Sequence, residues 1–561
     1  MLVHRKLDDR LQWFPQARFG MFVHFGLYAL LERGEWVMYH ESIPREEYEK
    51  LARRFNPRGF NAGEWVDVAQ RAGARYLTVT AKHHDGFCLF DSALTDYKVT
   101  NTPFGRDLIG ELIEACHRRR MRIVLYYSQP DWHHPSFVHR PKAFKDLQYE
   151  RPDDEPDWER YMDYVEGQVL ELCTRYGRID GVWFDGVHKT EQEWRGRRLY
   201  ALIKKHQPGA VVNERAGCGD FFTPERSLVF PASAAGYTVE ACQAICVDAW
   251  GHKRDGVLFS SPVLIESLVR TAAAGGNYLL NIGPLPDGSL PEDQVRRLEH
   301  IGDWLAVHGR AVYGTQGCPL IGEGDDVLYT RREDRVYAHL LRWPDRDAIV
   351  LSQLRRAPRR ATLLGAGTRL TVGSTEDGVV LRGLPAAPAH CAVNVVEMVF
   401  EDAAGVLRPL PRPDPPRVYE VRPDTFLALP AEGAVREGFG PKGSLLGLQA
   451  LDQGAACLWP WSSPEQKARW QLRGPGSVRC EVMVELACPA PYEGSTFAVR
   501  VAGQTLQGTV PTTGGFRDFT KVRLGAVDLP AGRSTLTLAP TRLNYGYIFA
   551  AVKQVVLTPH R

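Results

Sequence analysis

From about residue 18 to residue 310 the chain alternates short apolar runs with stretches of helical periodicity, and this alternation constrains the fold more than any other feature. GMFVHFG, RYLTVTAKHH, RIVLYYS, IDGVWFDG, AVVNER and NYLLNIG read as strands. DLIGELIEACHRRRM, YMDYVEGQVLELCTRYG, EWRGRRLYALIKKH, SPVLIESLVRTAAAGG and PEDQVRRLEHIGDWLAVHG read as helices. In the first of these Leu108, Leu112, Ala115 and Cys116 recur near a 3.6-residue period, and in the second Tyr161, Val165, Val169, Leu172 and Tyr176 do so. Strands separated by helical crossovers pair in parallel. About seven of them in one stretch fit a (β/α)8-like barrel of the TIM type, an imperfect one included.

After residue 315 the period shortens. VLYTRREDRVYAHLLRW, AIVLSQL and TRLTVGSTEDGVVLRGL alternate in the manner of antiparallel strands between turns. The division expected is a barrel over 1–315, a β-sandwich over 316–400, a Pro-rich linker over 401–419 and a second β-sandwich over 420–561. The linker carries five prolines between 407 and 417. The fold class is thus α/β: a barrel followed by two all-β sandwiches.

Composition removes several function classes. The net charge is +2 with no basic stripe, which argues against nucleic acid as partner. No run of 18 apolar residues occurs, so no membrane-spanning helix is expected. The start, MLVHRKLDDRLQWF, lacks a secretory signal, so the expectation is cytoplasmic, with secretion left open if a leader has been removed. Eleven cysteines without a CxxC pair argue against both a disulfide framework and a structural zinc site. No metal and no cofactor are expected.

The chemistry collects at strand ends. His24, His83, His84, Tyr126, Asp185, Arg215 and Asn281 all fall at or just past the carboxyl end of a strand, the face where barrels of this kind build their sites. Asp185, in DGVWFDGV, is an acid in an apolar strand, and a buried carboxylate is costly unless something pairs with it or uses its charge. Trp183 and Phe184 keep water from it, and Gly186 allows a sharp turn after it. Displacement at a sugar carbon needs one ionised and one protonated carboxyl. Asp185 suits the first, and Glu35, Glu214, Glu225 and Glu240 are the candidates for the second. Adjacent His83 and His84 on a strand point opposite ways and would not share one metal ion; neutral imidazoles bonding sugar hydroxyls suit them better. DWHHP, 131–135, reads as a structural corner. Trp36 beside Glu35, Trp183, and Trp250 in DAWGHKRD supply walls on which a sugar's C–H face can rest.

Taken in order, WFPQARFGMFVHFG, GEWVMYH, RRFNPRGFNAGEWVDVAQRAGARYLTVTAKHHDGFCLFDS, DLIGELIEACHRRRMRIVLYYSQPDWHHP, DGVWFDG, NERAGCGDFFTPE and GGNYLLNIGPLPDG resemble the family 29 glycoside hydrolases, the α-L-fucosidases. The resemblance implies a retaining exo-α-L-fucosidase that forms a covalent fucosyl ester by double displacement, acts on a fucosylated oligosaccharide or glycoconjugate, and uses no metal. It puts Asp185 in the nucleophile position and Glu225 in the acid/base position, with Glu240 as the alternative. It puts His24, His83, His84, Glu35, Trp36, Arg215 and Trp250 around the sugar, and Tyr126 and Trp183 join them as pocket residues. Two departures, Val239-Glu240 for Trp-Glu and Trp250-Gly251-His252 for Trp-Gly-Tyr, point to an altered sugar or leaving-group preference at the rim. The other readings are an exo-glycosidase for another sugar, such as an α-L-galactoside, and a non-catalytic fucose-binding protein. The last sandwich resembles carbohydrate-binding modules loosely. A homo-oligomer is left open.

Overall fold

A computed structural model describes residues 7–137, 155–186, 189–226, 237–323, 327–344, 347–407, 418–437, 449–450, 456–458, 461, 466–488, 493–514, 518–543 and 550–560. Residues 408–417, most of the expected Pro-rich linker, lie outside these.

The first part is a ring of parallel strands: β1 Phe19–Val23, β2 Tyr76–Lys82, β3 Arg122–Ser128, β4 Gly181–Asp185, β5 Val211–Val212, β6 Phe221–Phe222, β7 Thr238–Ala244 and β8 Asn277–Ile282. The order is β5-β4-β3-β2-β1-β8-β7-β6. A parallel bridge between Asn213 and Phe221, and the Asp220 N–H donating to the Val212 carbonyl at 2.6 Å, join β5 to β6 and close the ring.

Alternation along each strand sorts its side chains between two cores. Phe22, Tyr76, Val124, Tyr126, Trp183, Val211, Phe221, Cys242 and Leu279 fill the interior, and Leu11 and Phe14 join them. Met21, Val23, Leu77, Val79, Ile123, Leu125, Val182, Phe184, Tyr278 and Leu280 pack outward with the helices. Two residues beyond an interior position lies another, so His24, Asp185 and Asn281 follow Phe22, Trp183 and Leu279 onto the inner face. Helices Leu108–Arg118 and Trp158–Thr174 begin at Asp107 and Asp157, whose carboxylates accept the Gly110 and Arg160 N–H groups.

The sequence reading differs from the ring in three places. Among the described residues the ring has eight strands rather than about seven. AVVNER is a strand only at Val211–Val212, because the Asn213 side chain takes over the ladder, accepting from Phe184 N at 2.7 Å and donating to Phe184 O at 2.8 Å. Glu214–Ala216 is then a 3-10 turn. β6 is too short, and β7 too polar with Glu240 and Gln243, to announce themselves by periodicity. A further helix, Ala62–Arg71, capped by Asn61, precedes β2.

Beyond the ring eight antiparallel strands run from Gln316 to Val399, in the order Ala348–Leu351, Gly378–Arg382, Thr368–Thr375, Arg360–Leu363, Asn394–Val399, Arg335–Leu340, Val327–Arg332, Gln316–Glu323. Their core includes Tyr329, Val336, Leu363, Leu381 and Met398. Trp304, on the last barrel helix Glu292–His308, donates its indole N–H to Val393 O at 2.8 Å and ties this sheet to the barrel. Among the described residues the final strands form a six-stranded, a four-stranded and a two-stranded sheet. Trp470, Leu472, Phe497 and Leu538 from one sheet share a core with Val482, Val484, Val555 and Leu557 from the other.

Candidate active site

Asp185 ends β4 on the inner face, with its side chain 20% exposed at the mouth of the barrel. Its Oδ1 accepts from Arg215 Nη1 at 2.7 Å, its Oδ2 accepts from the Tyr126 hydroxyl at 2.7 Å, and His84 Nε2 lies 3.6 Å from Oδ2. Burial alone would raise this carboxyl, but Arg215, His84 and the Tyr126 hydroxyl outweigh it and hold it below the usual carboxylate range. Gly186 is crowded, since an added Cβ would stand 2.9 Å from Gln129 Cβ, and the sharp turn expected after it falls on residues 187–188, outside the described residues.

Arg215 is 6% exposed and holds two acids with two nitrogens of one guanidinium. Nη1 meets Asp185, and Nη2 meets Glu225 Oε2 at 3.1 Å. Nε donates to Thr223 Oγ1 at 3.0 Å, and the plane lies over the Trp183 ring at 4.5 Å. Thr223 in turn donates to Glu214, so the turn after β5 and the segment after β6 are locked together. Glu225 is 46% exposed, but its backbone is not loose. Residues 224–226 pair with β7, Cys242 N donating to Pro224 O at 3.1 Å and Arg226 N donating to Cys242 O at 2.8 Å.

The other candidate acids differ. Glu240, the alternative acid of the sequence reading, lies on β7 inside the barrel and is 1% exposed. Its carboxylate accepts from Trp183 Nε1 at 2.9 Å and from the Tyr76 hydroxyl, and burial pushes it up to about 7. Glu35 is buried too; its Oε2 accepts the N–H groups of Trp250 and Gly251, both at 2.8 Å, and burial raises it.

His83 and His84 follow β2 in a turn, so strand alternation does not separate them. Both are buried, with ring centroids 4.4 Å apart. His83 stacks near Tyr126, and His24 lies 5.7 Å from His83 and 5.3 Å from Trp250. Trp36 meets His84 edge-on at 5.1 Å. DWHHP is a corner: Asp131 Oδ1 accepts the N–H groups of His133 and His134, both at 2.9 Å, and Oδ2 pairs with Lys82 at 2.9 Å with both side chains fully buried. Among the described residues no three His, Cys, Asp or Glu side chains form a group able to hold a metal ion. Val239 packs with Phe222 and Tyr237 on the face of β7 opposite Glu240, so this departure sits away from the rim.

Sequence reasoning missed Thr223, which grips Arg215, and Arg226, whose guanidinium lies 4.7 Å over Trp250. It also missed Ser128, which bonds His84 Nδ1 at 2.6 Å. Only Ser128 carried a signal, as a polar residue ending an apolar strand.

The family model described as Alpha-L-fucosidase matches residues 3–310, and that described as Alpha-L-fucosidase C-terminal domain matches residues 323–395. The chain belongs to the alpha-L-fucosidase family. Human tissue alpha-L-fucosidase is 30% identical to this fucosidase over 410 residues, 67% of this chain and 85% of the human protein. Alpha-L-fucosidase isoenzyme 1 from Paenibacillus thiaminolyticus is 34% identical with a TM-score of 0.66, covering 70% of this chain and 99% of that one. An alpha-L-fucosidase from Bacteroides thetaiotaomicron, caught as a covalent intermediate with 2-fluoro-fucosyl fluoride, is 27% identical with a TM-score of 0.64, covering 70% and 96%. This fucosidase is a glycoside hydrolase, and fucosylated glycans are its substrate class.

Proposed function

We propose that the chain is a retaining exo-α-L-fucosidase, with Asp185 as nucleophile and Glu225 as acid/base. The observation that carries this reading is the single Arg215 guanidinium bonded to both acids at the barrel mouth. Asp185, kept ionised, attacks the anomeric carbon as the glycosidic C–O bond breaks, and Glu225 gives its proton to the departing oxygen. Positive charge developing on the sugar ring faces the Asp185 carboxylate, where a negative charge is worth most. Water then attacks the fucosyl ester, Glu225 takes its proton, and Asp185 leaves as carboxylate.

Exposure supports Glu225 over Glu240, whose oxygens both serve interior donors. The covalent intermediate of the Bacteroides relative supports double displacement. His24, His83, His84, Glu35 and Trp36 line the mouth as hydroxyl partners. The Trp250 ring, near both Arg226 and His24, offers an apolar wall that suits the methyl of fucose better than the hydroxymethyl of L-galactose. Such a contact discriminates by about 10- to 200-fold, which comparison of the two aryl glycosides measures.

The decisive experiment is Asp185→Ala on an aryl α-L-fucoside with and without azide. Turnover should be almost abolished, and azide should restore it with β-fucosyl azide as product. An active Asp185→Ala enzyme would falsify this assignment.

A further inference from the structure

Glu240 lies among the aromatic rings of the barrel interior, where burial pushes its carboxyl up to about 7. A methionine of similar length would fill the same space without that cost. What the carboxyl does there can be followed from bond to bond, out to the mouth.

An indole has one hydrogen to give and no acceptor. That of Trp183 goes to Glu240 Oε1 at 2.9 Å. The torsion that turns an aromatic ring on its stem is broad and roughly two-fold, so this bond selects the edge of the indole that faces β7. The other oxygen, Oε2, accepts from the Tyr76 hydroxyl. Tyr76 is itself held: an added Cβ on Gly20, in the neighbouring β1, would stand 2.4 Å from its ring, and the Phe14 and Trp13 rings lie 5.6 and 6.0 Å away. The held indole supports two groups. The Arg215 guanidinium lies over it at 4.5 Å, and the Tyr126 ring stacks on it at 5.6 Å with 21° between the planes. Both donate to Asp185, one to each oxygen, and Arg215 donates to Glu225 as well.

We propose that Glu240 is a positioning residue: by holding the Trp183 indole it sets the platform on which Arg215 and Tyr126 rest, and through them the places of the nucleophile and the acid. This rests on reading Asp185 and Glu225 as those two groups. The same bonds separate positioning from proton transfer. In Glu240→Gln the amide oxygen still accepts from Trp183, and the amide hydrogens turn to Tyr76, whose hydroxyl can accept where an indole N–H cannot. An amide has no proton to give a leaving group. In Glu240→Met neither bond survives.

The test compares these variants on a fucosylated oligosaccharide. Glu240→Met should lower kcat/KM by about 100-fold, the loss that a displacement of about 1 Å brings, with kcat carrying more of it than KM and circular dichroism unchanged. Glu240→Gln should stay within about fivefold of the parent. In Trp183→Phe, which has no indole hydrogen to hold, Glu240→Met should cost no more than about twofold further. In ¹⁵N-tryptophan-labelled parent enzyme the Trp183 indole proton, assigned by its loss in Trp183→Phe, should lie downfield of exposed indoles; it should move upfield in Glu240→Met and stay in Glu240→Gln. Equal effects of the Gln and Met substitutions would overturn the inference: if both are large Glu240 is the acid, and if both are small the indole needs no holding. A full 100-fold loss on top of Trp183→Phe would overturn it too. So would a parent Trp183 indole proton at the position of an exposed indole, a result that stands whether or not Glu240→Met folds. An active Asp185→Ala enzyme, by contrast, would remove only the nucleophile assignment and leave the coupling of Glu240 to Trp183 as measured.

Discussion

Strands β1 to β4 are five to seven residues long, and a helix precedes the next strand in each case. β5 and β6 are two residues each, and the link between them is a 3-10 turn. The regular sector supplies His24, His83, His84, Tyr126 and Asp185 from strand ends or the turns just past them. The seam supplies Arg215 and Glu225, which must reach inward over the mouth. A long strand spends its backbone on the ladder and aims its last side chain rigidly. A two-residue strand frees the following backbone early, and side-chain bonds then have to hold it: Asn213 to Phe184, Thr223 to Glu214, and Asp220 to Tyr200 and Lys204. Rigidity comes from backbone on one side of the ring and from side chains on the other.

That contrast breaks most visibly at Arg215. Arg215→Met should keep the fold and lower kcat/KM by about 10³-fold, about 4 kcal/mol, because two acids lose their shared cation. A loss below about tenfold, with circular dichroism unchanged, would show that the seam does not organise the site. In the regular sector the corresponding charge is structural. Lys82→Met leaves Asp131 buried and unpaired and should cost about 3–5 kcal/mol in urea unfolding, most of it recovered in Lys82→Met/Asp131→Leu. Stability unchanged in the single variant would erase the distinction between the sectors.

Glu225→Gln should slow natural glycans by about 10²- to 10³-fold and an aryl fucoside with a good leaving group far less, since only the former need a proton on departure. Equal losses on both would move the acid elsewhere. Glu240→Gln sharpens the comparison through pH. Burial raises this carboxyl from 4.5 to about 7 on folding. Between those values the folded state binds more proton than the unfolded one, so stability is complete below 4.5 and falls as pH rises to about 7. The loss is about 3 kcal/mol. Glu240→Gln should flatten that slope, and identical pH profiles for the two proteins would refute a buried, neutral Glu240.

The residues that the sequence made legible are those whose position follows from period two. Trp183 faces inward, so Asp185 does; the same count brings His24 from Phe22 and Asn281 from Leu279. The seam was not legible, because Phe221–Phe222 is too short for any period to show and AVVNER looks like one strand until Asn213 takes the place of a ladder bond. His83 and His84 were misjudged for a related reason: alternation ends with Lys82, one residue before them.

By itself, the sequence determined the alternation of strand and helix, the inward row of polar strand ends and the acid at 185, because these depend on local periodicity and on the cost of burying charge. Tertiary structure decided which acids share a cation, which glutamate sits in the dark interior, and which hydroxyl meets His84. Arg215 and Thr223, Glu240 and Trp183, and Ser128 and His84 come together only when the ring closes, and a hydrogen bond exists only between groups that the closed ring has placed within about 3 Å of each other.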